Sequence, residues 1–529
     1  MSAPRAASAR LAAALALGGE LPPFVESRID VGTDRFEYQL HDVDGDRRVD
    51  LVVTSASAGE RALRLWRQRP DAGFAGEPDF RLTVPPDVVS FALLDVRPEA
   101  GDELLLLTRG GVFSLTTTVA GLQGNLRREL SMPLFPDLAD ARRLPCWRLA
   151  KDVDGDGRPE LLVVSGSELV ALGVEPAGEG GERRLAVRRR FHCGDPARDE
   201  ARAELEIGGG GITMRARRGL SSIFPGTRSS RPSSNEGPLL ARRASLRLPA
   251  LLDWDGDGRI DLVEIGERAF AVRRQAADGS FAASAESIAR PAAIADEPRP
   301  GSTANGGGGG ATLELRDVDG DGREELIAFK QEGGGANAPH VVLVFPRDAE
   351  GRPSAEPSAR VKLAGLNVDW EIVDVDRDGR LDLTALVLDV PTGLTTLATI
   401  RLDTAFHVFR GRAGATFSRA PDLTFARSFR PEQLSRAQET LLTKIDGDFD
   451  QDGVSDLVLT QLDGRVEIRP VTRAGERLVL ASKPIASFQP PAPVQRLETW
   501  DLSMDGVADL MLRHERGFTL FVSRKGAGR

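Results

Sequence analysis

Carboxylate side chains at a fixed spacing are the residues of this chain best suited to chemistry. The pattern D-x-D-x-D-G-x-x-[DE]-L recurs along the sequence and places acids at positions 1, 3, 5 and 9 of a short segment. Carboxylates held so close together repel one another unless a hard cation lies between them, and an oxygen-only ligand set selects calcium. The pattern therefore predicts several calcium sites, one for each intact segment.

Five copies contain all four acids and a glycine at position 6. A single copy is also compatible with a β-turn rich in Asp and Gly, but five copies of one pattern favour metal binding. The ligands that we predict for them are Asp152, Asp154, Asp156 and Glu160; Asp253, Asp255, Asp257 and Asp261; Asp317, Asp319, Asp321 and Glu325; Asp374, Asp376, Asp378 and Asp382; and Asp448, Asp450, Asp452 and Asp456.

Three further copies depart from the pattern. Arg47 replaces the glycine in the first, which predicts a bound ion and a strained turn. Ser503 is a neutral ligand in the last, which predicts a weaker site. Arg97 occupies position 3 of the copy at Asp95, where its guanidinium can pair with Asp95, Glu99 or Glu103, so we predict no metal there. The ligands predicted for the first and last copies are Asp42, Asp44, Asp46 and Asp50, and Asp501, Ser503, Asp505 and Asp509.

The spacing of the copies predicts the architecture. Successive copies lie 53 to 74 residues apart, except for one interval of 101. A unit of about fifty-five residues accommodates four short strands and their turns, as in a propeller blade. Strand-like runs lie before the acidic segment, as at 88–94, and after it, as at 161–164, and two more follow in the typical unit.

An EF-hand or a dockerin-like loop is the competing interpretation of each acidic segment. An EF-hand requires flanking helices and a bidentate Glu at position 12. Position 12 here is Val163, Ala328, Ala385 or Leu459, and the one Glu at that position, Glu264, lies in a β-type run. The flanks therefore favour strands on both sides of the acidic segment.

The acidic loops, together with hairpins such as Gly279-Ser-Phe281, resemble the FG-GAP/VCBS repeats. These are calcium-loop propeller units found in integrin α-subunits and in many secreted bacterial proteins. The resemblance covers residues 22–525, which we treat as one domain, and it implies a calcium-binding β-propeller. It implies no single activity, because the family includes adhesion modules, lectin-like binders and propellers of some polysaccharide lyases.

Eight copies predict an all-β, eight-bladed propeller of four-stranded antiparallel blades. Seven blades are the alternative if the copy at Asp95 does not form a blade. After the last copy the sequence provides only two more strands, whereas residues 23–31 precede the first unit as an unassigned strand. We predict that this N-terminal strand completes the last blade, because such closure removes an exposed sheet edge.

Composition restricts the other kinds of site. The chain has 22 Phe but one Tyr and five Trp, so few rings are available for stacking on sugars. The five histidines lack H-x-x-H spacing, and no motif supports Cys146 with His192 as a catalytic pair. We predict no catalytic residues, no nucleic-acid partner and no transmembrane segment.

Three features remain open at this level. Residues 1–20 are either a signal peptide or a flexible extension. Residues 194–244, within the third repeat, are predicted to be a flexible insertion. This insertion and its flank are arginine-rich, and they either contact an anionic polysaccharide or a partner protein or are simply solvated. Cys146 and Cys193 form either one disulfide or two buried thiols.

These expectations combine into one functional prediction. We expect a monomeric, non-catalytic adhesion or recognition propeller, stabilised by calcium, that binds a protein or a glycan. Sites of roughly 10⁻⁴ to 10⁻³ M affinity suit calcium-rich surroundings, so we expect an extracellular, periplasmic or cell-surface location. The alternative is a polysaccharide-active enzyme, a lyase or a hydrolase, on the same scaffold.

Overall fold

The computed structural model describes residues 24–524, apart from 58–59, 98–100, 119–120, 135–143, 145, 148, 166–167, 176–182, 193–205, 209–210, 214–249, 266–267, 283, 295–310, 333–337, 366, 390–401, 431–441 and 476. Every regular element in these residues is a β-strand. The predicted signal peptide or extension lies outside the described residues, as do Cys193 and most of the predicted insertion.

The strands form eight four-stranded antiparallel sheets, in agreement with the predicted fold. We number the blades in chain order. The chain enters through β1 (Phe24–Asp30), which belongs to blade 8. Blades 1 to 4 contain β2 (Phe36–His41), β3 (Asp50–Ser57), β4 (Glu60–Trp66) and β5 (Phe80–Thr83); β6 (Val88–Leu94), β7 (Glu103–Thr108), β8 (Gly111–Thr118) and β9 (Gly121–Ser131); β10 (Ala150–Lys151), β11 (Glu160–Ser165), β12 (Glu168–Glu175) and β13 (Arg184–His192); and, after a separate hairpin of β14 (Glu206–Gly208) and β15 (Gly211–Thr213), β16 (Ala250–Leu252), β17 (Asp261–Ile265), β18 (Ala269–Arg273) and β19 (Glu286–Ala289).

The second half of the ring repeats this order. Blades 6 and 7 each add a short hairpin between their third and fourth strands. Blades 5 to 8 contain β20 (Thr312–Arg316), β21 (Glu325–Gln331), β22 (His340–Phe345) and β23 (Ala359–Leu363); β24 (Asn367–Val373), β25 (Asp382–Asp389), β26 (Leu402–Phe409) and β29 (Leu423–Phe429), with the hairpin β27 (Gly411–Arg412) and β28 (Thr416–Phe417); β30 (Thr443–Gly447), β31 (Asp456–Thr460), β32 (Val466–Arg469) and β35 (Ala486–Phe488), with the hairpin β33 (Val471–Ala474) and β34 (Arg477–Leu480); and β36 (Arg496–Trp500), β37 (Asp509–Arg513) and β38 (Gly517–Ser523).

The N-terminal strand closes the ring. β1 pairs antiparallel with β38, from Phe24 opposite Ser523 to Asp30 opposite Gly517, and so supplies the fourth strand of blade 8. This closure confirms the sequence prediction. The seven-blade alternative is wrong, because the unit that contains Asp95 forms a complete sheet of β6, β7, β8 and β9.

The blades pack face to face through their middle strands. All six residues of β11 and all six of β7 are buried, because each of these strands lies between two neighbouring blades. The closing interface between blades 8 and 1 adds aromatic contacts. The ring of Phe518 lies 5.3 Å from that of Phe36 and 4.9 Å from that of Tyr38, both edge to face, and the Arg513 guanidinium lies over Phe36 at 4.7 Å.

Tyr38 is the only tyrosine of the chain, and its hydroxyl donates to Glu498 at 2.6 Å across the same interface. Burial raises the pKa of Tyr38, and Glu498 adds to this effect. The phenol therefore stays protonated as a structural donor. Within the part of the chain that the structure describes, no helix is long and apolar enough to cross a membrane.

Candidate metal sites

Each acidic loop connects the first and second strands of a blade. In blade 4, for example, β16 ends at Leu252, position 1 follows at Asp253, and position 9, Asp261, begins β17. The same arrangement holds for the loops that begin at Asp42, Asp95, Asp152, Asp317, Asp374, Asp448 and Asp501. The structure thus places all the predicted ligands at equivalent turns around the ring.

The aspartate at position 1 builds the turn itself. In blade 4, Asp253 Oδ1 accepts the backbone N–H groups of Gly256 at 2.8 Å and Asp257 at 3.0 Å, and Oδ2 accepts that of Gly258 at 2.8 Å. This wrapping requires left-handed backbone at positions 4 and 6, where φ is +74° for Gly256 and +82° for Gly258. The glycine pattern of the sequence indicated this requirement only at position 6.

Several loops carry side chains at these left-handed positions. Arg47, at position 6 of the first loop, has φ +67°, which confirms the strained turn predicted there. Position 4 is also left-handed in the last three loops although it is not glycine, with φ of +50° for Arg377, +62° for Gln451 and +53° for Met504. These loops therefore store strain that the other loops avoid.

Position 9 ties the loop to the blade. In all eight loops its carboxylate accepts the backbone N–H of position 2; in blade 3, Val153 donates to Glu160 at 2.8 Å. Where position 9 is aspartate, the second oxygen also accepts a backbone N–H from the end of the third strand, as Gln275 donates to Asp261 at 2.8 Å. Burial raises the pKa of Asp261 to about 6 and that of Glu160 to about 7.

Position 3 provides the clearest test of whether a cation fits. Asp255, Asp319 and Asp376 each have one carboxylate oxygen, Oδ1, that is buried without a hydrogen-bond partner among the described residues. An ionised oxygen in that position is costly unless another charge compensates it, and a divalent cation in the loop would do so. The acids of these loops therefore fit a hard cation.

The acids also converge. Within single loops, ligand oxygens of three acids lie within 4.8 Å of one another. Such groups include Asp42, Asp44 and Asp50; Asp152, Asp154 and Glu160; Asp253, Asp255 and Asp257; Asp317, Asp319 and Glu325; and Asp374, Asp376 and Asp382. The donor set consists of carboxylates, which suits calcium.

The copies at Asp501 and Asp95, which lack an acid at position 3, differ from these loops. Ser503 Oγ in blade 8 is buried without a hydrogen-bond partner, so this neutral oxygen also remains available. In blade 2 the Arg97 guanidinium donates to Ser114 at 2.6 Å and lies 3.4 Å from Glu129, and Arg183 approaches Asp95 at 3.5 Å. Guanidinium groups from within and beside this loop therefore supply positive charge next to its acids.

The loops are joined around the ring by a contact that the sequence pattern does not reveal. The backbone N–H at position 8 of one loop donates to the position 2 carbonyl of the preceding loop at four junctions in the described residues, as Leu381 does to Val318 at 2.8 Å, Ser455 to Val375 at 2.7 Å and Val49 to Leu502 at 3.2 Å. Asp102 donates to Val43 in the same way at 3.1 Å. At two other junctions a side chain substitutes, because Gln275 donates to the Val153 carbonyl at 2.7 Å and Arg347 to that of Trp254 at 2.7 Å.

In blades 5 and 6, the hairpin between the third and fourth strands contacts the acidic loop of the preceding blade. The backbone N–H of Ala415, in blade 6, donates to Asp319 of blade 5 at 2.9 Å. A side chain at Gly351 would lie 2.3 Å from the Trp254 carbonyl oxygen, so this blade 5 hairpin approaches the blade 4 loop closely. The Gly-containing hairpins of the sequence pattern therefore complete the loop of the neighbouring blade.

Other reactive side chains are dispersed. The four histidines whose side chains the structure describes, His41, His340, His407 and His514, lie in or beside blades 1, 5, 6 and 8. The Cys146 thiol lies against Gln39, whereas the side chain of His192 is outside the described residues. The described histidines therefore do not converge on one site.

A cluster on the first strands of blades 6 and 7 includes a lysine. Lys444 Nζ lies 3.0 Å from Asp446 and 3.8 Å from Glu371. Burial acts to lower the pKa of Lys444, but the two carboxylates outweigh it and raise that pKa. Lys444 is therefore protonated, and the cluster is an ion-pair network.

Comparison with known proteins supports the repeat assignment. Residues 253–328, from the blade 4 loop into β21, match the FG-GAP-like repeat. No curated protein matches the chain.

Similar solved structures include an Agrocybe aegerita lectin that recognises non-reducing terminal N-acetylglucosamine (14% identity, 75% of this chain and 86% of that chain, TM-score 0.38). They also include Sqt1 from Chaetomium thermophilum (9%, 96% and 100%, TM-score 0.41) and the biofilm matrix protein Bap1 of V. cholerae (9%, 96% and 89%, TM-score 0.35). These TM-scores are too low to support a functional argument. The chain is an eight-bladed β-propeller that carries an FG-GAP-like repeat.

Proposed function

We propose that this protein is a calcium-stabilised recognition propeller that binds a protein or a glycan outside the cytosol. The observation that carries the calcium assignment is the buried, unpartnered Oδ1 oxygen of Asp255, Asp319 and Asp376, each in a loop where three acids bring ligand oxygens within 4.8 Å of one another. Because a buried carboxylate oxygen without a hydrogen-bond partner is costly, such oxygens are expected at a cation site.

The acids at positions 1, 3, 5 and 9 would hold the ion. Bound calcium would neutralise the repulsion between these acids and fix each turn. Position 1 already closes the turn through backbone N–H groups, and position 9 already anchors the loop to the second strand, so the ring folds around preformed sites. The role we assign to calcium is therefore stabilisation of a rigid scaffold.

A binding role is favoured over catalysis by the side chains outside the loops. The described histidines lie at separate blades. A polysaccharide lyase needs a base that can lose its proton, whereas the pKa of Lys444 is raised by Asp446 and Glu371. Protein and glycan are both kept as ligand classes because of the resemblance to the FG-GAP family, which includes adhesion modules and lectin-like binders.

Location outside the cytosol follows from the same assignment. Calcium loops of extracellular modules have dissociation constants of roughly 10⁻⁴ to 10⁻³ M, so they are occupied where the calcium concentration is as high as in extracellular fluid. Residues 1–20 also have the basic and apolar composition expected of an export signal.

The proposal is tested by a glycan and protein binding screen with the full chain, once in millimolar calcium and once in chelator. We expect the protein to unfold at a higher temperature in calcium than in chelator. We also expect it to bind a specific protein or glycan in calcium. Unchanged stability and no calcium uptake would contradict the metal assignment. Turnover of a polysaccharide in the same screen would replace the binding role with the enzymatic alternative.

A further inference from the structure

The position 3 aspartates use their two oxygens differently. In blades 4, 5 and 6, Oδ1 is buried and unpartnered, whereas Oδ2 is held by a donor from outside the loop. Arg274 contacts Asp255, the Ala415 backbone N–H donates to Asp319 at 2.9 Å, and Arg410 donates to Asp376 at 3.0 Å. The structure thus orients one oxygen of each carboxylate through the other.

The charge of that outside donor differs most between blades 5 and 6. In blade 5 the donor is a neutral backbone group, and no described residue forms an ion pair with Asp317, Asp319, Asp321 or Glu325. Arg347 acts on Glu325 electrostatically, but its guanidinium donates to the Trp254 and Glu324 carbonyls. The blade 5 loop therefore keeps four acids without a direct cationic partner.

Blade 6 is the opposite case. Asp376 Oδ2 contacts both Arg410 Nη1, at 3.0 Å, and Arg473 Nη2, at 2.5 Å. A third arginine, Arg380, lies 3.3 Å from Asp378. Three guanidinium groups thus already neutralise much of the negative charge of this loop.

The other complete loops lie between these extremes. Arg188 contacts Asp154 in blade 3 at 2.7 Å, and Arg377 contacts Asp448 in blade 7 at 3.2 Å. Two arginines, Arg274 and Arg259, pair with acids of the blade 4 loop. The five complete loops therefore share one ligand pattern but differ in the positive charge beside it.

We propose that these arginines grade the calcium affinity of the five complete loops, so that the blade 5 loop binds calcium most tightly and the blade 6 loop least tightly. The inference rests on the proposed calcium binding. Affinity in carboxylate loops is set by the charge count of the ligands and by the rigidity of the site, and a guanidinium beside a ligand opposes a dication.

Two of the grading residues come from a neighbouring blade, namely Arg377 beside Asp448 and Arg473 beside Asp376. Arg473 lies on β33, in the blade 7 hairpin, and also donates to the Asp376 carbonyl at 3.0 Å. Blade 7 therefore lowers the affinity of the blade 6 site, and the effect is specified by an exposed side chain. Because its side chain is 40% exposed, Arg473 can be changed without opening the core.

The test is calorimetric titration of the full chain with CaCl₂ after removal of bound metal. Asp319→Asn should remove the tightest binding step, whereas Asp376→Asn should leave that step and remove a weak one. Arg473→Gln should tighten the weakest step of the five at least threefold. Arg473→Lys, which keeps the charge, and Arg477→Gln, a control on β34 of the same hairpin, should each bind as the native protein does.

The outcomes separate this inference from the function on which it rests. If the native protein binds no calcium, the proposed function fails and the grading fails with it. If calcium binds but Asp319→Asn removes only a weak step, or Arg473→Gln weakens binding, the calcium function stands and the grading is overturned. A weakening by Arg473→Gln would show that Arg473 orients Asp376 and that its charge is secondary. Circular dichroism of each variant establishes that the blades remain folded.

Discussion

The backbone N–H of Val49 donates to the carbonyl oxygen of Leu502 at 3.2 Å, which joins the acidic loop of the first blade to that of the last. The pairing of β1 with β38 closes the same junction at the level of the strands. Closure therefore acts twice, once through the sheet and once through the loop layer.

Gly517, at the start of β38, pairs with Asp30 of the closing strand β1. A methyl group at Gly517 would lie 2.0 Å from the Ile29 carbonyl oxygen of β1. Gly517→Ala must displace β1, so we expect a loss of about 1 to 3 kcal/mol in the free energy of unfolding, measured by denaturant titration. Gly110→Ala, whose added methyl meets no atom within 4 Å, is the control. Equal midpoints for the two variants would contradict closure through β1.

Gly157 isolates the backbone strain of an acidic loop. Its φ is +84°, and an added Cβ would meet no atom within 4 Å, so the effect of Gly157→Ala arises from conformation alone. We expect the free energy of unfolding, measured by denaturant titration, to fall by about 1 to 2 kcal/mol. Gly76→Ala, at a site equally open but without positive φ, should be nearly neutral. The converse change, Arg47→Gly, relieves backbone strain in the folded loop but raises the entropy of the unfolded chain. Because these two effects oppose each other, we expect the variant to be as stable as the native chain or more stable.

Gln275 tests the junction between blades 3 and 4. Its side chain is 5% exposed, and Nε2 donates to the Val153 carbonyl at 2.7 Å. Gln275→Leu removes that donor, so we expect destabilisation of about 1 to 3 kcal/mol in thermal or denaturant unfolding. The exposed Gln489→Leu serves as the control. A Gln275 variant as stable as the control would show that the junction does not depend on this bond.

Asp321 separates metal binding from turn formation. Its Oδ1 accepts the Arg323 backbone N–H at 2.8 Å, and Asn can retain that bond while losing the charge. In chelator we expect Asp321→Asn to unfold at the same temperature as the native chain or at a slightly higher one, because the change removes one of the mutually repelling charges. In 10 mM calcium it should lack the stabilisation of one site, about 2.7 kcal/mol for a dissociation constant of about 0.1 mM, the tight end of the expected range. Equal calcium stabilisation of both proteins would remove Asp321 from the ligand set.

His514 makes stability depend on pH in blade 8. It is 6% exposed, its Nδ1 lies 3.1 Å from the Pro493 carbonyl oxygen, and its Nε2 lies 2.8 Å from Thr519 Oγ1. Burial lowers the pKa of His514 below its usual value. The contribution of the neutral ring is therefore complete above about pH 6.5 and is lost as the pH falls through the lowered pKa.

The measurement is the free energy of unfolding from pH 8 to pH 5, in saturating calcium, for the native chain and His514→Gln. The native chain should lose more stability over this range, by about 1.4 kcal/mol for each unit by which the pKa is lowered. Parallel curves for the two proteins would rule out His514 as a source of the pH dependence.

The sequence by itself determined the period of the fold and the positions of the candidate ligands. The acidic loop is a local feature, because positions 1, 5 and 6 form one turn through bonds such as that from Gly258 to Asp253. A repeat of such turns between apolar runs is sufficient to count eight blades. The unpaired strand before the first copy was also sufficient to predict closure by β1.

Only the tertiary structure decided how the loops are joined and which charges surround them. Arg473 and Asp376 are 97 residues apart, and Ala415 and Asp319 are 96 apart. These contacts depend on how neighbouring blades face each other, and no local pattern encodes that orientation. The sequence therefore specified similar acidic loops, whereas the packing of each blade against the next gave every loop a different electrostatic environment.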